Sequence, residues 1–480
     1  MKKNFFYNII YQILILILPL ITIPYVSRTI GAKGIGIYSY TYSIAYYFMI
    51  FAMLGLNNYG NRVIAKIRDD KEKLSKEFCS IYSLQLITST AMVVLYFLYT
   101  IIFDVEYKVI GYIQIIYVIA SMFDINWFFF GMEKFKLTIT RNIFIKVLSL
   151  ILIFIFVKNA DDVWKYTLIL AGCALFSNIM LFKFLHKYIE FVKVTKKDVA
   201  KHLKPCLVLF LPVIAVSLYK IMDKIMLGIF TDVKEVGYYE NGEKITQVPL
   251  TIITALGTVS LPRVSNMLAN NEEDKVKKLL DKTMPFVMFL TLPMALGMVA
   301  IGKDFSILFF GNEFEKSGYI IQLLSITILF LAWGNVIRTE YLIPKEKDKE
   351  YIISAFLGAI INFIINILLI PLYKSIGACI GTIIAEFTVM FYQSWKVKNE
   401  LPLMNYIKKS VGFGIKSIIM FGTVILIGKF KIINPIIKIL LQIISGILVY
   451  VILNIKYIFD NLKINGKLES LNQSKANIKY

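Results

Sequence analysis

About fourteen stretches of this 480-residue chain are long and apolar enough to cross a bilayer. They run roughly over 6–28, 36–59, 78–103, 108–131, 142–158, 163–185, 205–230, 236–260, 283–302, 317–338, 350–373, 376–396, 409–428 and 432–454. A helix rises about 1.5 Å per residue, so some 20 residues cover a hydrocarbon core about 30 Å thick. Inside that core each backbone N–H and C=O must bond within its own segment, which leaves runs of this length a helical fate. The chain is therefore expected to be an all-α polytopic membrane protein with about 14 transmembrane helices. Composition agrees: 58% of residues are hydrophobic and 18% charged, against about 45–50% apolar residues in soluble domains. Lys2 and Lys3 precede the first run as in a secretory leader. No small-residue cleavage site follows, so that run is read as retained.

The net charge of +21 could suggest nucleic acid, but its placement does not. With the N-terminus taken as cytoplasmic, about two-thirds of the 53 Lys and Arg fall in the termini and in loops on that side, and about a fifth on the other. This positive-inside bias places both termini in the cytoplasm and sets the basic loops against anionic lipid head groups. The expected location is the cytoplasmic (plasma) membrane.

The largest basic loop, near 183–204, separates six spans from six, with two left over. The boundaries read as 1–190 for an N-terminal six-helix bundle, 191–204 for a cytoplasmic linker, 205–400 for a second bundle, 401–455 for two extra helices and 456–480 for a cytoplasmic tail. The halves echo each other. ILPLITIPYVSRTIG leads to GIGIYSY, and FLPVIAVSLYKIMDKIMLG leads to VGYYENGEK. Internal repeats of this kind build central sites between two bundles in many transporters.

Charges inside the spans carry the functional reading. In LYKIMDKIMLG, Lys220, Asp223 and Lys224 share one helical face. A charge near the bilayer centre costs about 2.5–3.5 kcal/mol even on the lenient scale, so it should face protein or water. The next span brings Glu240, Glu243 and Lys244 to a similar depth. Two arrangements fit: a structural ion-pair knot such as Asp223 with Lys244, or a hydrated cavity. In the second, Lys220, Lys224, Lys244 and Arg28 would grip an anion such as a diphosphate through charge-assisted hydrogen bonds. Arg28 could equally be an interface anchor. Glu386 lies near mid-span, where a lone carboxyl reads as a proton or cation relay. Asn362 and Asn366 are an i, i+4 pair that either lines a polar cavity or glues helices. Asp124 lies nearer the cytoplasmic end, where capping or local pairing competes with a part in the ion chemistry. Pro19, Pro24, Pro212, Pro249 and Pro293 interrupt spans and free carbonyls.

The four cysteines fall in apolar segments and read as buried hydrophobes. His186 and His202 share a basic loop with no ligand cluster beside them, so no metal is expected. GTVILIGKF and GAKGIG have the wrong spacing for a Walker loop or a dinucleotide fingerprint. No nucleotide, nucleic acid or cofactor is expected. Neither the large basic outer loop of a polymerase nor the acidic metal motif of a glycosyltransferase is visible, so the chain is not read as an enzyme.

Several stretches together carry a resemblance: LPLITIPYVSRTIGAKGIGIYSYTYSI, FDINWFFFGMEKFK, LYKIMDKIMLG with VGYYENGEKI, LFFGNEFEKS, and YLIPKEKDKEYIISAFLGAIINFIINILLIPLYKSIGACIGTIIAE. They resemble, in order and over nearly the whole chain, the Wzx-type polysaccharide or oligosaccharide flippases of the multidrug/oligosaccharidyl-lipid/polysaccharide exporter superfamily. The resemblance implies two pseudo-symmetric six-helix bundles around a central cavity plus two C-terminal helices. It implies movement of undecaprenyl-diphosphate-linked repeat units to the outer leaflet by alternating access, for capsule or surface polysaccharide. Arg28, Asp124, Asp223 and Glu386 match the family's motifs. Expected partners are the lipid-linked oligosaccharide, the phospholipid bilayer, H+ or Na+ as coupling ion, and other polysaccharide-assembly membrane proteins. The alternatives are a flippase for the lipid-linked peptidoglycan precursor and a drug/cation antiporter of the same superfamily, although surplus Lys would repel cationic drugs.

Overall fold

In the computed structural model, the residues described are 2–103, 106–430 and 434–460, with side chains from Leu18 onward except at 219, 255, 256, 258 and 259. All regular structure among them is helical. The first half contributes α1 (Lys2–Met53), α2 (Leu56–Ile67), α3 (Lys71–Ile102), α4 (Lys108–Met122), α5 (Asn126–Gly131), α6 (Phe135–Phe156), α7 (Val163–Leu185) and α8 (Lys196–Ala200). Next come α9 (Leu203–Phe230), α10 (Val233–Ala269), α11 (Glu273–Phe310), α12 (Glu315–Leu324) and α13 (Thr327–Ile337). After a π-turn over Arg338–Leu342 follow α14 (Asp348–Tyr373), α15 (Ser375–Val397), α16 (Leu403–Lys429) and α17 (Pro435–Leu453).

Among the described residues, eleven helices are long and apolar enough to be spans, and twelve if the bent pair Asn312–Leu324 and Thr327–Leu342 counts as one. All fourteen expected segments fall on helices. The first two share α1, whose 52 residues are interrupted at Gly31, where φ is 69° and ψ −179°. A straight helix of that length would measure about 78 Å, far beyond one bilayer. The expected eighth lies on α10, which carries Glu240, Glu243 and Lys244 and is not among the eleven.

The chain divides into two compact units. One holds the residues to Lys244 with Phe309–Ile320 and Ile352–Thr388. The other holds Ile245–Leu308, Ile321–Tyr351 and the residues from Val389. In the first unit, α1, α3, α4, α6 and α7 pack on one another, and the short α5 plugs their far end. Trp127 is fully buried there; its indole N–H donates to Gln85 Oε1 at 3.0 Å, and its ring fills the space a side chain at Gly60 would need.

The linker is strapped to α3. Lys71 pairs with Glu190 at 2.6 Å, the Glu190 N–H donates to Ser75 Oγ at 3.0 Å, and Lys76 pairs with Asp198 at 3.3 Å. His202, 1% exposed, closes the strap between Tyr59 Oη and Ser80 Oγ, each 2.8 Å from a ring nitrogen.

In the second unit, α16 shows how lipid shapes sequence. Its inward stripe is Tyr406, Ser410, Phe413, Ser417, Met420 and Val424, while Val411, Ile415, Ile418 and Leu426 lie outward. Small and polar residues face the neighbouring helix and large aliphatics face the acyl chains, as expected where lipid is as apolar as a core. Lys438, a charge within a span, is neutralised by Asp304 at 2.7 Å.

Candidate functional site

Two polar clusters are built side by side on α9, and both lie within the first unit. Asp223 is 2% exposed. Its carboxyl accepts from Tyr239 Oη at 2.7 Å (α10), Thr382 Oγ1 at 2.7 Å (α15) and Asn366 Nδ2 at 2.6 Å (α14). Asn366 Nδ2 also reaches Asn362 Oδ1 at 3.1 Å, one helical turn earlier. Gly381 admits the amide: a Cβ there would lie 2.1 Å from Asn366 Oδ1. Asn362 Nδ2 and Asn366 Oδ1 are buried without a hydrogen-bond partner. Among the described residues no Lys or Arg pairs with Asp223. Three neutral donors, one from each of three helices, thus converge on one buried carboxyl.

The adjacent residue builds the second cluster. Lys224 Nζ lies 2.6 Å from Glu240 Oε2 and 2.9 Å from Glu243 Oε2, and Lys244 Nζ lies 2.9 Å from Glu240 Oε1. Ser39 of α1 donates to Glu240 Oε2 at 2.8 Å, so the first half of the chain grips the same carboxylate. Two ammonium groups meet two carboxylates. Of the two arrangements anticipated, this conformation holds an ion-pair knot, with Lys224 rather than Asp223 as its centre.

Near this knot α1 and α10 meet backbone to backbone, at Gly36 and Gly237. Around the crossing, Asn241 Nδ2 donates to Ser27 Oγ at 2.8 Å and the Ala32 N–H donates to Glu313 Oε2 at 3.1 Å. Lys316 and Ser375 hold Glu235, at 2.6 Å each. These bonds join segments of both sequence halves at one end of the unit.

The remaining expected residues are dispersed. Lys220 is exposed, one turn from Lys224. Arg28 is exposed, beside Gly311. In this conformation the four cations do not converge. Glu386 is 6% exposed on α15, one turn beyond Thr382. Asp124 caps α5 instead, accepting from the Asn126 N–H at 3.0 Å and from Asn126 Nδ2 at 2.6 Å. Sequence reasoning missed Tyr239, Thr382, Ser39 and Gly381. Thr382 stands four residues before Glu386, on the same helical face, which is a signal that could have found it.

Long apolar spans and an all-helical fold define a multi-pass membrane protein. More particularly, the chain belongs to the polysaccharide biosynthesis protein family, whose model matches residues 1–268. It is 23% identical over 417 residues to the putative O-antigen transporter of Escherichia coli (strain K12), covering 84% of this chain and 98% of that protein. It is 23% identical over 418 residues to the capsular polysaccharide biosynthesis protein CapF of Staphylococcus aureus, covering 82% and 99%. Its fold is similar to that of the lipid II flippase MurJ in an inward closed conformation, with a TM-score of 0.78 at 17% identity over 95% of this chain and 100% of that one.

Proposed function

We propose that this protein carries undecaprenyl-diphosphate-linked oligosaccharide repeat units across the cytoplasmic membrane for surface polysaccharide synthesis, by alternating access coupled to H+ or Na+ at Asp223. The observation that carries the reading is the pairing of two unlike clusters on consecutive residues of α9. Asp223 sits among neutral ligands, where occupancy by a cation changes the local charge. Lys224 sits in a balanced ionic knot that also engages α1 through Ser39. A change at one residue is passed to the other through a single peptide unit of a helix.

In this reading the knot holds one end of the pathway closed, and opening it frees Lys224 and Lys244 for the diphosphate. Lys220 and Arg28 supply further cations along the route. The positive-inside bias puts the Gly36–Gly237 end outside and the strapped linker in the cytoplasm. Family membership and the O-antigen and capsular relatives support the class of substrate.

The test is leaflet-specific labelling of lipid-linked sugars in cells. Loss of the protein should confine repeat units to the inner leaflet, and the wild-type chain should restore their exposure. Asp223→Asn, delivered to the membrane at the wild-type level, should leave them confined. Unimpeded exposure without the protein would end this reading.

A further inference from the structure

Glu340 is absent from every cluster above, and sequence reading placed it in a loop. It is 1% exposed, on the π-turn Arg338–Leu342 of the second unit. π-Turns often mark functional positions, because the extra residue in the turn re-aims a side chain. Its Oε2 is buried with no hydrogen-bond partner. The two side chains that engage the carboxyl are the hydroxyls of Ser260 on α10 and Thr283 on α11. Those two hydroxyls leave Oε2 orphaned, and an ionised oxygen without a partner is the costliest occupant of such a site.

Among the described residues, the charged groups on the surrounding elements are directed elsewhere. Arg263 on α10 and Lys282 on α11 are exposed, and Asp281 on α11 is a second acid that could not neutralise Glu340. Arg338 donates to Asn335 Oδ1 at 2.6 Å. Lys345 pairs with Glu273 at 3.1 Å, and Lys347 pairs with Glu400. Around the turn stands a tight apolar core that includes Leu280, Met284, Ile337, Tyr341 and Leu342.

We propose that Glu340 is a proton-binding site, occupied in this conformation, that ties the π-turn to α10 and α11. It is separate from Asp223 and lies in the other compact unit. Losing the proton would leave a carboxylate with an orphaned oxygen against an apolar wall, so release must accompany separation of α10 and α11 from the turn. Only the cellular arm of the test rests on the transport reading.

Infrared spectra of the purified full-length protein near neutral pH should contain a buried carboxylic acid C=O band. That band should be lost in Glu340→Gln, which keeps the shape of the neutral acid and should unfold at the wild-type temperature. Thr283→Val removes one of the two hydroxyls on the carboxyl and should shift the same band even if the Gln variant does not fold. In cells, Glu340→Gln should flatten the pH dependence of sugar-lipid exposure. A carboxylic acid region identical in wild type and Glu340→Gln, or unmoved by Thr283→Val, overturns the proposal. Failure of the transport reading would remove the cellular arm and leave the spectra to decide.

Discussion

Gly36 and Gly237 occupy each other's side-chain space. A Cβ on Gly36 would lie 1.7 Å from the Val233 carbonyl oxygen, and one on Gly237 would lie 2.0 Å from that of Ala32. Each glycine opens the repeated Gly-to-Tyr segment of its half, so the weak internal echo in the sequence marks the place where the two halves touch. Gly36→Ala or Gly237→Ala must push the helices apart, at a cost of about 1–3 kcal/mol if overpacking behaves as it does in other tight cores. Thermal unfolding of the purified variants should show the loss.

Lys224 is the hub of its knot, so Lys224→Gln takes a cation from both Glu240 and Glu243. Removing one member of a buried pair costs about 3–5 kcal/mol. Adding Glu243→Gln restores the charge balance and should recover much of that loss, a coupling that a double-mutant cycle on unfolding free energies measures. Additive losses would mean the pair is not formed. If Lys224 also meets the diphosphate, the restored double variant will fold and still fail to expose sugar lipids.

At Gly381 a methyl group would fall 2.1 Å from Asn366 Oδ1. Gly381→Ala should therefore displace the amide from Asp223 without altering any charge. The expected result is a weakened dependence of transport on Na+ or pH in the direction of Asp223→Asn, at unchanged membrane abundance. An ion dependence equal to wild type would remove Asn366 from the site.

His202 satisfies two hydroxyls at once, through Tyr59 and Ser80. His202→Ala leaves both without their shared partner and should cost about 1–3 kcal/mol. His202→Gln, which can both donate and accept, should recover part of it. Thermal denaturation of the purified variants decides the matter.

The fold class was legible because fourteen apolar runs admit so few structures in lipid. The two charged spans were legible for the related reason that charge at depth must be matched. Sequence alone could not supply the pairing. Helical rise placed Lys220, Asp223, Glu243 and Lys244 at one level, but which ammonium met which carboxylate depended on how α9 and α10 are rotated about their axes. That rotation is fixed by packing at Gly36 and Gly237. The sequence left Arg28 between a cavity cation and an interface anchor, and Asp124 between ion chemistry and local capping or pairing. Arg28 is exposed beside Gly311 and Asp124 bonds Asn126, details that only the folded chain supplies. Glu340 escaped notice because its segment, rich in Lys and Glu, reads as a loop although its first turn continues a helix.

The strap along α3 also has a mechanical meaning. Residues 186–202 are fastened at Glu190, Asp198 and His202, leaving little slack between the halves. Such a segment works as a rigid anchor post rather than as a rope. If the transport reading holds, rocking of α9 would have to begin beyond His202, within the helix that carries Pro212.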